Sequence, residues 1–173
     1  MATALLLVDV QRNMLEPPTP VPGAPAIRAA IEQLLLDARS RGAVVVHVQN
    51  DGGSGDPDEP GTSGWELAFE PAEGEIVVRK DQPDTFVSNP SLANELAAQG
   101  VSHLVVAGMQ SNYCVAASSR AGMRHGFEVV LVSGAHATYD EERPAAVISE
   151  GIEAELADEG IRVVPAKDVT FSP

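Results

Sequence analysis

Apolar residues along this chain gather into short unbroken runs separated by amphipathic stretches. Ala4-Leu5-Leu6-Leu7-Val8 is the first run, with the continuous hydrophobicity of a strand buried on both faces. From Pro25 to Arg41 the spacing turns helical, placing Ile27, Ile31, Leu34, Leu35 and Ala38 on one side. Pro25 suits the first turn of that helix and Gly42 the position just past its end. Ala43 to Val48 (AVVVHV) reads as a second buried strand, so the first three elements form a βαβ unit. Glu75-Ile76-Val77-Val78, Ser102 to Ala107, Phe127 to Val132 and Ile161 to Val164 predict four more strands. Helices are expected from Asn89-Pro90 to Gln99, from Asn112 to His125 and from Pro144 to Glu159. No hairpin signal joins consecutive strands. The alternation therefore predicts an α/β fold: a six-stranded, mostly parallel, doubly wound sheet in a three-layer αβα sandwich.

Asn50 to Gly64 (NDGGSGDPDEPGTSG) interrupts the alternation and predicts a long irregular loop, either functional or mobile. At 173 residues and 44% hydrophobic content the chain is expected to fold as one domain, residues 1–173. No apolar run is long enough to span a bilayer, and Asp9 breaks the N-terminal one, so no signal peptide is expected. A single cysteine fits a reducing compartment, and the chain is read as cytoplasmic. Eleven basic residues against 25 acidic ones give a net charge of −14, which opposes binding to nucleic acid or an anionic membrane.

In open parallel sheets, sites lie beyond the carboxyl ends of the strands, near the switch in strand order. Strand one ends at Asp9, followed by Gln11 and Asn13; strand two at Gln49-Asn50-Asp51; strand three at Arg79-Lys80-Asp81. Strand four runs through Gly108 into Met109-Gln110-Ser111-Asn112-Tyr113-Cys114. The lone cysteine, an acid and a lysine thus fall on one edge. Each also has a plain reading: Cys114 as a small buried residue, Asp9 as a cap for the following loop, Lys80 as a solvated charge. The functional reading makes Cys114 a nucleophile in the first turn of a helix, where the macrodipole should lower its pKa. Asp9 would accept its proton, and Lys80 would keep Asp9 ionised. His47 reads as a satisfied core histidine, and His103, His125 and His136 lack metal-ligand spacing. The glycines of 52–64 lack the Gly-Lys-Ser/Thr of a phosphate loop, and Ser118-Ser119 lacks a nucleophile elbow.

Four segments in order, LLLVDVQ, VVRKDQPDTF, VVAGMQSNYCV and VVLVSGAHAT, resemble the isochorismatase-like cysteine hydrolases, among them nicotinamidase and N-carbamoylsarcosine amidohydrolase. The resemblance runs nearly end to end. It implies a catalytic triad of Asp9, Lys80 and Cys114, and a cis peptide at Met109–Gln110. It further implies an oxyanion hole from the backbone N–H groups of Gln110 and Cys114, and a pocket lined by Gln11, Trp65, Phe86 and Tyr113. Trp65, the only tryptophan, reads equally well as an anchor for the loop before it. Nicotinamidase-type relatives hold a metal through Asp-x-His after strand two; here that run is Asp51-Gly52-Gly53, so neither a metal nor another cofactor is expected. Gly134 stands where many relatives carry aspartate. Members acting on isochorismate lack the cysteine, so its presence favours amide chemistry.

These readings together predict a cysteine-dependent hydrolase of a small-molecule amide, carbamoyl or imide, working through a thioester. Relatives are commonly oligomers, so a homo-oligomer, dimer or tetramer, is expected. Two alternatives stay open: a non-catalytic receiver-like module phosphorylated on Asp9, and a family member that binds ligand without turnover. The first fits poorly, since neither an acidic pair after strand one nor a phosphoacceptor on a later strand is present.

Overall fold

A computed structural model describes residues 1–173. The six strands are β1 (Ala2–Val8), β2 (Val44–Asn50), β3 (Ile76–Lys80), β4 (Val101–Met109), β5 (Glu128–Ala137) and β6 (Arg162–Pro165). They form one sheet in the order β3-β2-β1-β4-β5-β6, and every pair is parallel, so the sheet is wholly rather than mostly parallel. Strand order reverses between β1 and β4, which places the switch point at the centre of the sheet.

β1 shows why this architecture suits the sequence. All seven of its residues are buried, and they alternate between two cores. Ala4, Leu6 and Val8 join one cluster with Phe86, Leu92, Leu96, Val115 and Leu156. Leu5 and Leu7 join the other with Ile31, Leu34, Leu35, Ala38 and Phe171. A strand covered on both faces has no use for polar residues, hence the uninterrupted apolar run.

The second cluster lies under α1 (Arg12–Leu15) and α2 (Ala24–Ser40). The first lies under α3 (Thr85–Ser88), α4 (Leu92–Ala98), α5 (Ala116–Arg124) and α6 (Ala145–Asp158). The expected helix from Asn112 divides in two: Ser111–Val115 is a π turn, and α5 continues from it. Two short helices escape a periodicity reading. One is α1; the other is α3, started by the Asp84 side chain accepting from the Phe86 N–H at 2.9 Å. β5 runs five residues past the expected Val132, because a register shift against β4 takes up the extra residues between Leu131 and His136; Gly134 has φ +79° there. No helix is long and apolar enough to cross a membrane.

The loop from 51 to 75 is tied to the chain leaving β1. Val10 accepts from the Ala68 N–H, Asn13 donates to the Gly64 carbonyl, and Gln11 bridges to Leu67 in antiparallel fashion. The loop therefore covers the carboxyl edge of β1 and β2.

Candidate active site

The carboxyl edge of the sheet brings Asp9, Lys80 and Cys114 together. Asp9 follows β1 with φ +50°, a left-handed conformation costing a non-glycine residue of order 1 kcal/mol. Its N–H is held by the Val48 carbonyl at 3.0 Å, and its own carbonyl accepts from Gln11 at 2.9 Å. The kink turns the carboxylate back over the strand ends. Beside it, β4 approaches β1 so closely at Gly108 (φ +126°) that a Cβ would lie 2.0 Å from the Val8 carbonyl oxygen; only glycine fits. β4 can therefore deliver the segment Gln110–Cys114 directly above Asp9.

Lys80 ends β3, two strands away from β1, and its side chain is completely buried. Its ammonium donates to Asp9 Oδ2 at 3.0 Å, to Cys114 Sγ at 3.1 Å and to Asn50 Oδ1 at 2.8 Å. Three acceptors use all three N–H bonds, the condition under which a buried ammonium is tolerable. Asn50 is the member that sequence reasoning missed. It faces Lys80 in the β2–β3 register, and its Nδ2 donates to Asp58 of the loop at 2.7 Å. The signal was available, since Asn50 is a polar residue closing a buried strand next to the one that carries the lysine.

Asp9 Oδ1 is buried and receives no well-aligned hydrogen bond. Burial raises the Asp9 carboxyl to about 6, although Lys80 and the Cys114 thiol pull it down. Cys114, half-buried, is pushed up to about 12 by burial and by the Asp9 charge, with Lys80 opposing. This corrects the expectation of a lowered thiol pKa. The start of the helix is a π turn, and burial first, then the carboxylate next to the sulfur, set the direction. At rest the site is a neutral thiol beside an ionised, poorly solvated carboxylate.

The remaining predicted residues divide. Met109–Gln110 is a cis peptide, and the Tyr113 and Val115 N–H groups both donate to the Gln110 carbonyl, which closes the turn that holds Cys114. Gln11 is 1% exposed and fully engaged: it donates to the Asn50 and Trp65 carbonyls at 3.0 and 2.9 Å and accepts from the Asn50 N–H at 2.8 Å. Trp65 is a loop anchor, donating to Asp51 at 2.9 Å while its carbonyl takes Gln11 and Gln49. Phe86 lies in the core with His125 and Phe127 rather than on an open wall. Tyr113 is exposed and donates to Glu141 at 2.9 Å.

The histidines lie apart from one another. His47 pairs with Glu75 in the core, His103 with Glu128, His136 with Ser111 and Glu153, and His125 lies tilted against Phe86. Ser118 is fully buried against Thr85 at 2.8 Å.

Residues 3–158 match the Isochorismatase domain. The chain belongs to the isochorismatase family. A streptothricin hydrolase of Streptomyces noursei is 43% identical over 172 residues, spanning 94% of this chain and 68% of that protein. A maleamate amidohydrolase of Pseudomonas putida KT2440 is 33% identical, over 75% of this chain and 69% of its own. Among solved structures, an isochorismatase from Pseudomonas putida KT2440 superposes with a TM-score of 0.89 at 30% identity, covering 98% of this chain and 90% of that one. This family membership makes the protein an isochorismatase-like hydrolase.

Some family members hold a metal after strand two, so the corresponding residues here bear testing. Asp51 is taken by Arg79, at 2.8 and 3.0 Å, and by the Trp65 indole; Arg79 in turn lies over the Trp65 ring. Gly52 and Gly53 offer no side chain, and no group of three His, Cys, Asp or Glu converges anywhere. These residues do not fit a metal: a guanidinium neutralises Asp51, and the two positions after it carry no ligating side chain.

Proposed function

We propose that the protein hydrolyses a small-molecule amide, carbamoyl or imide C–N bond, with Cys114 as nucleophile. The observation that carries this reading is the single buried ammonium of Lys80 within 3.1 Å of both Asp9 and Cys114 at the switch point of the sheet. The amide hydrolysis named in the maleamate amidohydrolase relative supports the bond class.

In the first step the Cys114 proton passes to Asp9 Oδ1 as sulfur attacks the carbonyl carbon. The oxyanion is held by the N–H groups of Gln110 and Cys114 on the turn after β4. Collapse of the tetrahedral species breaks the C–N bond, and Asp9 returns the proton to the departing nitrogen, leaving a thioester. Water then attacks the thioester, its proton going to Asp9. The acid leaves, and Asp9 re-protonates the sulfur. Lys80 keeps its charge throughout and offsets the negative charge that moves between oxygen and sulfur. A carboxyl poised at about 6 suits this shuttle, since it is ionised at neutral pH yet basic enough to accept a thiol proton.

Ammonia release from a panel of primary amides that includes maleamate tests the reading. Wild type should turn over at least one member and yield a thioester adduct on Cys114 by mass spectrometry. Equal turnover by Cys114→Ala would refute it.

A further inference from the structure

The acids that pack against the sheet or its helices have a cation or a set of donors. Asp9 has Lys80; Glu75 has Arg39, His47 and the Ala72 N–H; Asp51 has Arg79 and Trp65; Glu153 has His136; Asp84 has Arg124 and the Phe86 N–H. Asp58 is the exception. It is 91% removed from solvent (9% exposed), makes no ion pair and receives one hydrogen bond, from Asn50 Nδ2 to its Oδ2. The backbone is shaped to seat it there. Gly52 donates to the Asp58 carbonyl at 2.9 Å, and a Cβ on Gly52 would strike Asp58 Oδ1 at 2.1 Å. A Cβ on Gly64 would strike the Pro57 carbonyl oxygen at 2.1 Å and press on Asn13.

Asp58 lies near enough to Asp9 and to Tyr139 for its charge to push both upward. The cations around it are spoken for: Arg12 by Glu16 and Glu66, Arg79 by Asp51, Lys80 by Asp9, Cys114 and Asn50. Two carboxylates and one ammonium leave this buried cluster with one uncompensated negative charge. Asn13 Oδ1, on the residue that packs against Gly64, is a buried acceptor with no donor. Acceptors outnumber donors beside Lys80, and a mostly buried carboxylate with a single neutral donor gains from any cation or N–H donor that reaches it.

We propose that Asp58 is the specificity-determining residue of the site, and that the amide it selects carries a cationic nitrogen, an ammonium or guanidinium, a few bonds from the scissile carbonyl. The proposal deepens the amide-hydrolase reading above and rests on it for the position of the scissile bond.

The test uses the full chain near neutral pH and four probes of similar size. They are 4-aminobutyramide, with its cation on the acyl side; N-(2-aminoethyl)acetamide, with its cation on the amine side; neutral pentanamide; and anionic succinamate. Turnover is read as kcat/KM, and affinity is read by calorimetry on Cys114→Ala. At least one cationic amide should exceed pentanamide about tenfold or more, as a charge-assisted hydrogen bond supplies. Succinamate should be poorest, and Asp58→Asn should bring the cationic amide down to the neutral one. Equal use of cationic and neutral probes, a preference for succinamate, or a cation preference that survives Asp58→Asn overturns the proposal. If no probe is hydrolysed, calorimetry decides alone. Cation binding to Cys114→Ala that disappears when Asp58→Asn is added keeps Asp58 as the selector and leaves the hydrolase reading to the amide panel above; no cation binding removes Asp58. Should Asp58→Asn fail to fold, the wild-type ratio between probes still settles the matter.

Discussion

β3 carries a buried charge cluster at each end, and the two are built on opposite plans. At the amino end, Glu75 sits just before the strand and is saturated. Arg39 donates twice, at 2.7 and 2.9 Å, and the Ala72 N–H and His47 Nε2 add bonds of 2.8 Å each. Against the upward push of burial, these contacts hold Glu75 down at about 2. At the carboxyl end, Lys80 is the saturated partner and the carboxylate is not: Asp9 has one cation, one oxygen without a donor, and a pKa raised to about 6. The same ingredients give a fixed brace in one place and a proton shuttle in the other. What decides is how many donors reach the carboxylate, and at the reactive end one oxygen has been left free for the thiol proton.

The comparison breaks most sharply if the sulfur is removed. Cys114→Ala should cost about 10⁴-fold or more in kcat, measured by product release from whichever amide proves to be a substrate. Asp9→Asn should lower kcat by about 10²- to 10⁴-fold, the usual worth of a general base. It should also do something a damaged fold would not, namely speed the alkylation of Cys114 by iodoacetamide. The Asp9 charge is one of the causes raising the thiol, and Lys80 remains to favour the thiolate. A slower alkylation in Asp9→Asn would contradict the charge assignment.

Acidity sharpens the contrast next. A carboxyl raised to about 6 must be ionised to act, so kcat/KM should fall about tenfold per pH unit below 6 and level off above it. The smallest effect on activity belongs to the other end of the strand. Glu75→Gln should leave kcat within about twofold while costing about 2 kcal/mol of stability by denaturant unfolding. The sign follows from a lowered pKa: the Glu75 contribution is present above its ordinary 4.5 and is lost as pH falls through about 2. The stability gap between wild type and Glu75→Gln should therefore close over that window.

Much of this was legible from residues alone, for identifiable reasons. Strands such as Ala2–Val8 are buried on both faces, so their hydrophobicity is continuous and their type unmistakable. The strand-end rule then put Asp9, Lys80 and Cys114 on one edge. The hidden parts depend on contacts distant in sequence. Asn50 acquires its role only because β2 and β3 pair in a register that sets it opposite Lys80. Asp58 lies in a run of Gly, Pro and Asp with no periodicity to read, and its isolation becomes visible only once every neighbouring cation is seen to be engaged. The direction of the Cys114 pKa depended on a balance of burial, carboxylate and ammonium that spacing cannot weigh. β5 extends beyond Val132 because a register shift against β4 takes up Ser133-Gly134, which the apolar pattern cannot show.

The central place of β1 has a bearing on how the chain reaches this state. β1 is the first of the six strands in the chain and needs a partner on each side: β2, and β4, which is complete only at Met109. At synthesis rates of about 5–20 residues per second, its bare apolar edge waits several seconds for β4 to emerge. During that interval Leu5, Leu6 and Leu7 are open to wrong pairing. Substitutions that slow the docking of β4, at Gly108 above all, should therefore show first as poor yield of folded protein, before any loss of activity in the molecules that succeed.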